Sequence, residues 1–477
     1  MGKGGGSGGG GGGKGGSGGG GKGGGGGSKS GGGGGGGKAA AAGGGGSKGG
    51  GQPWSNAGPN AGHQADGTPW TNADFINARQ TDKKRCRKLS QFWLFDGLDE
   101  EPYGLLPLVN LSGKSGASST KNVERIGSYQ WRLEEDDPVI LIPGMPLESF
   151  YWPGGKLRQD HGVVIYNVNH MKVKDGQLDA AILAAKLCSA NNKKKNEINF
   201  DDYDIITDAI NLQKLFAFSQ EAGDGLFRID CERVGKTVLL SRMEASDLME
   251  IGHLTYDQSM KAKMTKFRSK HCSGPFFQLT SYQFGTLKIL VRYEVECADF
   301  AGAKVEIFED TDQLPEKTEF AENKAIGYIN FGNVPDNLPL QLLTTYPHGG
   351  GFPFFTWAQM FFTCADQEMI GFWKGNGDFT KPAIYGLNDI SKLMKPLPYA
   401  VLSKVHDCLC KIQLFLVRND PNFRFGLIWK GKPHLEIFSK SRKADGAISK
   451  SVRKFLSTQC KNRTEEEVQE IAKKQKG

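Results

Sequence analysis

The stretch that most limits what this chain can fold into is residues 1–51, which hold 35 of its 68 glycines, six lysines and no acidic residue. Glycine loses more backbone entropy on folding than any other residue and has no side chain to bury in return. The composition therefore predicts a disordered Gly/Lys-rich tail over residues 1–51. Any fold must be built from residues 52–477. That remainder is long enough for one large domain or two.

The tail also holds most of the charge. The chain carries a formal net charge of +8, and the lysines at 3, 14, 22, 29, 38 and 48 supply six of those charges. The rest is balanced to +2, with 54 basic against 52 acidic residues, so bulk charge does not make it a nucleic-acid-binding domain. No apolar run reaches the roughly 18 residues needed to span a bilayer. The first residues lack the apolar segment of a secretory signal, which leaves a nuclear or cytoplasmic location as the expectation. The nine cysteines are scattered, and Cys408 and Cys410 form the one close pair, with no second pair at zinc spacing.

Residues 52–89 read as a polar linker. It contains an echo, Pro53-Trp54-Ser55-Asn56-Ala57 and Pro69-Trp70-Thr71-Asn72-Ala73. A duplicated linker accounts for it more simply than a repeated peptide ligand. A basic run, Lys83-Lys84-Arg85-Cys86-Arg87-Lys88, closes the linker. A globular domain is expected over residues 90–455, and a charged helix or tail over 456–477. Within the domain, the patterns predict strands at 139–142, 163–168, 237–243 and 286–297. They predict helices at 178–188, 204–218, 357–364 and 401–416. A hairpin is expected where 423–429 and 435–438 flank Lys430-Gly431-Lys432-Pro433.

Several motifs fail on inspection. Gly113-Lys114-Ser115 and Gly235-Lys236-Thr237 lack the earlier glycine of a phosphate loop, since Leu108 and Asp230 stand there. His348-Gly349-Gly350-Gly351 has no partner elbow and reads as a turn. The strand at 286–297 is more promising. Its alternation puts Glu294 and Glu296 on one face, about 7 Å apart. Two adjacent carboxylates need something positive between them. Either a divalent Mg²⁺ or Mn²⁺ ion fills that place, or Arg292 and Lys288 on the same face neutralise an exposed surface.

Read in order, the segments at 207–216, 234–246, 251–260, 293–296, 355–379 and 405–439 resemble the DXO family of 5′-end decapping and pyrophosphohydrolase nucleases, in a divergent fungal branch. The resemblance spans roughly residues 125–440 and rests on shared order and spacing. It implies an α+β fold of twisted mixed β-sheets with flanking helices. It also implies a site in which carboxylates hold divalent metal, a lysine helps activate water and an arginine meets RNA phosphate.

This sequence departs from that pattern at every catalytic motif. Aligned on it, Ala209 stands for the arginine, Asp257 for the second-motif glutamate and Glu294-Val295-Glu296 for the Glu-hydrophobic-Asp motif. Gln341 and Leu343 stand for the glutamate and lysine of the last motif. The nearby Glu322-Asn323-Lys324 matches that last motif literally, but it lies in a charged run and reads as loop surface. Losing a water-activating group costs on the order of two to four powers of ten in rate. The resemblance then implies a degenerate member that binds RNA 5′ ends or a protein partner. The alternative is an active RNA 5′-end hydrolase using Asp257, Glu294 and Glu296 as catalytic and metal-binding residues.

Overall fold

The computed structural model describes residues 92–474, apart from 192–196, 221–225, 252–254, 302, 304–312, 332–336, 348–353 and 395–398. The tail, the linker, the basic run and the His348–Gly351 turn lie outside the described residues. The elements around the site are β1 (Ile205–Asp208), α1 (Ala209–Ser219), β2 (Leu226–Val234), β3 (Thr237–Met243), α2 (Asp257–Met264), β4 (Phe276–Phe284) and β5 (Leu287–Val295). They continue with β6 (Leu340–Pro347), α3 (Phe354–Thr363), β7 (Gln367–Gly375), α4 (Tyr399–Arg418), β8 (Phe425–Lys430) and β9 (His434–Ser439).

Two mixed sheets carry the fold, as expected from the sequence. The larger runs through β9, β8, β2, β3, β1, β5 and β4 and ends on strands from residues 120–142 and 318–330. Its centre is β1, parallel to both β5 and β3. The smaller has β6 and β7 side by side in parallel. The chain passes from one sheet to the other at Glu296: β5 ends at Val295, and Cys297–Ala298 pairs with β6 through Cys297 opposite Gln341.

Helices cover both faces of the large sheet. On one side α1, α3 and α4 interdigitate through Leu212, Phe216, Trp357, Phe362, Val405 and Leu409, all buried, with the Phe216 and Trp357 rings 5.9 Å apart. On the other, the helix Asp179–Asn191 lays Ala181, Ile182 and Ala185 against Ile140, Ile206 and Leu290. The helix Lys450–Gln459 crosses residue 455, where the sequence placed the end of the domain, and buries Val452 and Leu456 in this second core.

One sequence expectation needs correction. The helix expected from residue 204 is strand until Asp208. Ile205, Ile206 and Thr207 are buried between two neighbouring strands, and β-branched side chains suit that setting. The Glu322-Asn323-Lys324 run lies in a turn between strands, as expected, with Lys324 exposed and Asn323 buried. Glu322 pairs with Lys186, and Asn323 donates to Asp179 Oδ2 at 2.8 Å, tying the turn to the start of the helix Asp179–Asn191.

Candidate functional site

Where the two sheets part, a cavity of about 680 Å³ opens. Ala209, Asp257, Glu294, Glu296 and Leu343 all line it. Five of the six positions singled out in the sequence thus meet in one place, from four elements and the link after β5. The sixth does not join them. The buried Gln341 side chain donates to Gln367 Oε1 at 2.8 Å and accepts from Cys297 Sγ at 3.6 Å.

Each carboxylate is placed by local structure. Asp257 opens α2, but it does not cap it. The Asp160 carboxylate takes that role, accepting from the backbone of Gln258 at 3.0 Å and Ser259 at 2.8 Å. Asp257 Oδ1 is left to accept from the backbone of Thr345 at 2.6 Å and its hydroxyl at 2.7 Å. Glu296 accepts in the same way from the backbone of Leu343. The reason is topological. Cys297–Ala298 covers β6 only at Leu340 and Gln341, so later edge N–H groups need other acceptors.

Burial pushes the Asp257 carboxyl up, Thr345 partly offsets this, and the neighbouring Asp160 charge adds to it. Burial pushes Glu296 up to about 7, against the pull of Lys261 and with a further push from Glu294. Glu296 Oε2 is enclosed and has no hydrogen-bond partner among the described residues. A fourth acid escaped the sequence reading. Glu368 on β7 is 1% exposed, and its Oε2 also has no hydrogen-bond partner among the described residues. Burial, then the charges of Glu296 and Asp257, push it up to about 8.

The expected neutralising partners also differ from those present. Arg292 is buried and spent: Nε and Nη2 donate to the two Asp208 oxygens at 2.6 and 3.0 Å, and Nη1 donates to Gln177 O at 2.6 Å. Lys288 faces Asp202 instead. The cation beside the glutamates is Lys261 on α2, 3.9 Å from Glu294 Oε1. It sits one helical turn after Asp257, a spacing visible in the sequence. The lone Glu368 in Gln367-Glu368-Met369 had no such signal. A second cationic group stands nearby on β3, where Arg242 Nε donates to Glu244 Oε1 at 2.8 Å and its guanidinium lies 4.3 Å over the Tyr166 ring.

At the remaining two motif positions the chemistry is apolar. Ala209 follows Asp208, whose carboxylate serves Arg292 and gives the helix no side-chain cap. Leu343 packs with Met260, Met264 and Met369.

Metal fit is partial. Among the described residues, no three His, Cys, Asp or Glu side chains are grouped to hold an ion. Yet Glu296 and Glu368 each offer a bare, buried oxygen, and Mg²⁺ commonly takes one or two carboxylates from a protein and fills its shell with water and phosphate.

Residues 109–310 match a model described as a domain of unknown function, DUF8563. No curated protein matches the chain. Among solved structures it is similar to S. pombe Rai1, at 13% identity over 71% of this chain and 99% of that one, with a TM-score of 0.47. It is similar to Candida albicans Rai1 in complex with pU5 and Mn²⁺, at 13% identity over 78% and 99%, with a TM-score of 0.45. K. lactis Dxo1 in complex with manganese is 10% identical over 72% and 99%, with a TM-score of 0.44. These are proteins of the group that the sequence motifs resemble.

Proposed function

We propose that this chain is a degenerate DXO-like protein that holds RNA 5′ ends in the cavity between its sheets and hydrolyses them feebly or not at all. One observation carries the reading. The motif positions converge on a single cavity, yet the groups that would polarise water and meet phosphate there are replaced by a methyl at Ala209 and a packed isobutyl at Leu343, while Gln341 is turned away. Asp257 and Glu296 spend oxygens on the free edge of β6, and Lys261 balances Glu294.

A second reading is kept alive by the bare oxygens of Glu296 and Glu368. These two would hold a divalent ion, which would neutralise phosphate charge when bound. Lys261 would then orient the bound end.

The deciding experiment incubates the full chain with 5′-triphosphate, 5′-monophosphate and capped RNAs, with Mn²⁺ or Mg²⁺, beside Glu294→Ala and Glu296→Gln variants. Binding without cleavage is expected. Robust cleavage that disappears in the variants would replace the degenerate reading with the hydrolase. Mn²⁺ uptake is followed separately by calorimetry. It should be weak and fall about tenfold or more in Glu368→Gln, because one of two protein ligands is gone.

A further inference from the structure

Most large rings in this fold find a ring or a cation to pack on. Two at the cavity do not. Phe267, just after the short strand Thr265–Lys266, is 46% exposed, and Phe355 at the start of α3 is 54% exposed. Both line the cavity, and neither has a ring or cation partner among the described residues. By contrast, the exposed Tyr103 leans on Phe415 and Phe423, and the exposed Tyr151 on Lys381. Tyr166, 37% exposed, joins the two phenylalanines at the cavity with Arg242 stacked on it.

Two exposed apolar rings on the wall of one cavity offer a surface that a ligand can cover. The charges narrow its chemistry. The lining carries Asp257, Glu294 and Glu296, while Arg292 is consumed by Asp208 and Arg242 by Glu244, so Lys261, 3.9 Å from Glu294 Oε1, is the lining cation left to meet an anion. One such cation can orient a phosphate but cannot hold a polyanion above three acids by charge alone. Stacking of bases on aromatic side chains adds affinity that charge does not supply, and it is indifferent to sequence because every base has a π-face.

We infer that Phe267 and Phe355 form a stacking platform for unpaired nucleobases of an RNA strand whose 5′ end enters the cavity. This rests on the RNA-binding reading above and goes past it, by assigning affinity to bases at the rim. The platform favours single strands over duplex ends, whose bases are already stacked on each other.

The test uses the full chain and a short fluorescent 5′-monophosphorylated oligoribonucleotide, beside a base-free ribose-phosphate strand of equal length and charge. Salt is raised until the lysines of the tail contribute little. Anisotropy titrations compare the wild type with Phe267→Leu, Phe355→Leu, Phe267→Trp and Phe355→Trp. Leucine keeps apolar area and removes the π-face, while tryptophan keeps both. Both positions are about half exposed, so the fold should hold, and thermal melting checks it. Each leucine variant is expected to bind RNA on the order of tenfold more weakly. The tryptophan variants should bind at least as tightly as wild type, and the base-free strand should bind weakly to all five proteins. RNA bound equally well by wild type and leucine variants, or a base-free strand bound as tightly as RNA, overturns the platform and leaves the RNA reading standing. No binding of any strand by the wild type removes the RNA reading itself, and the platform with it.

Discussion

At the scale of single residues, the interior beside the cavity is held by charges that cannot be removed one at a time. Arg292 and Asp208 are both buried and joined by two hydrogen bonds. Replacing Arg292 by methionine strands Asp208 without a partner and is expected to cost about 3–5 kcal/mol, read by urea denaturation. A loss below about 1 kcal/mol would mean that water reaches the aspartate. Glu368 behaves in the opposite sense. Its folded pKa, about 8, lies above its ordinary 4.5, so the folded state keeps a proton that the unfolded chain releases. The stability it contributes is full below about pH 4.5 and is lost as pH rises through 8, at up to about 1.4 kcal/mol per pH unit. Glu368→Gln stays neutral throughout. In chelator it should melt with the wild type at pH 4 and above it at pH 9, and parallel melting curves across that range would refute the assignment.

At the scale of elements, the acids of the site depend on where helices and strands begin and end. Helix α2 presents Asp257 and Lys261 to the cavity, and Asp160 caps it from outside the helix. Asp160→Ala should destabilise the protein by about 0.5–2 kcal/mol, the usual value of a lost cap. It should also weaken RNA binding, because Asp257 and Lys261 would lose their fixed start. Unchanged RNA affinity in a measurably destabilised variant would separate the helix from the site. Several elements were legible in the sequence. Strand β3 and the hairpin of β8 and β9 follow from alternation and from the Gly431 turn, whose positive φ suits glycine. Strand β1 was not legible, because Ile205 and Ile206 fit an amphipathic helix as well as a strand buried on both faces. The end of β5 was missed for a related reason. Alternation continues through Cys297, but the chain changes sheets after Val295, which leaves Glu294 41% exposed while Glu296 Oε2 is enclosed.

At the scale of the whole molecule, the glycine-rich segment and the domain divide the charge between them. If the six lysines of residues 1–51 touch RNA phosphates, deleting those residues should flatten the salt dependence of binding by up to about 4 in log–log slope, and weaken binding at low salt. An unchanged slope on deletion would exclude the segment from the RNA interface.

By itself the sequence determined what local pattern can carry: a glycine tract unable to form a core, two classes of element by their periods, and motif positions whose order points to one family. Aligned on the motifs it resembles, Ala209 and Leu343 stand where that resemblance expects charged groups, and no tertiary arrangement restores a charge to an alanine. Only the tertiary structure decided which groups face one another. It brought Glu368 beside Glu296 and Asp257, gave Lys261 the place expected for Arg292, and left Phe267 and Phe355 bare at the cavity. Those outcomes depend on two sheets diverging at Glu296. Such long-range geometry has no period or spacing in the chain, because the interacting residues are set by sheet order and not by distance along the sequence.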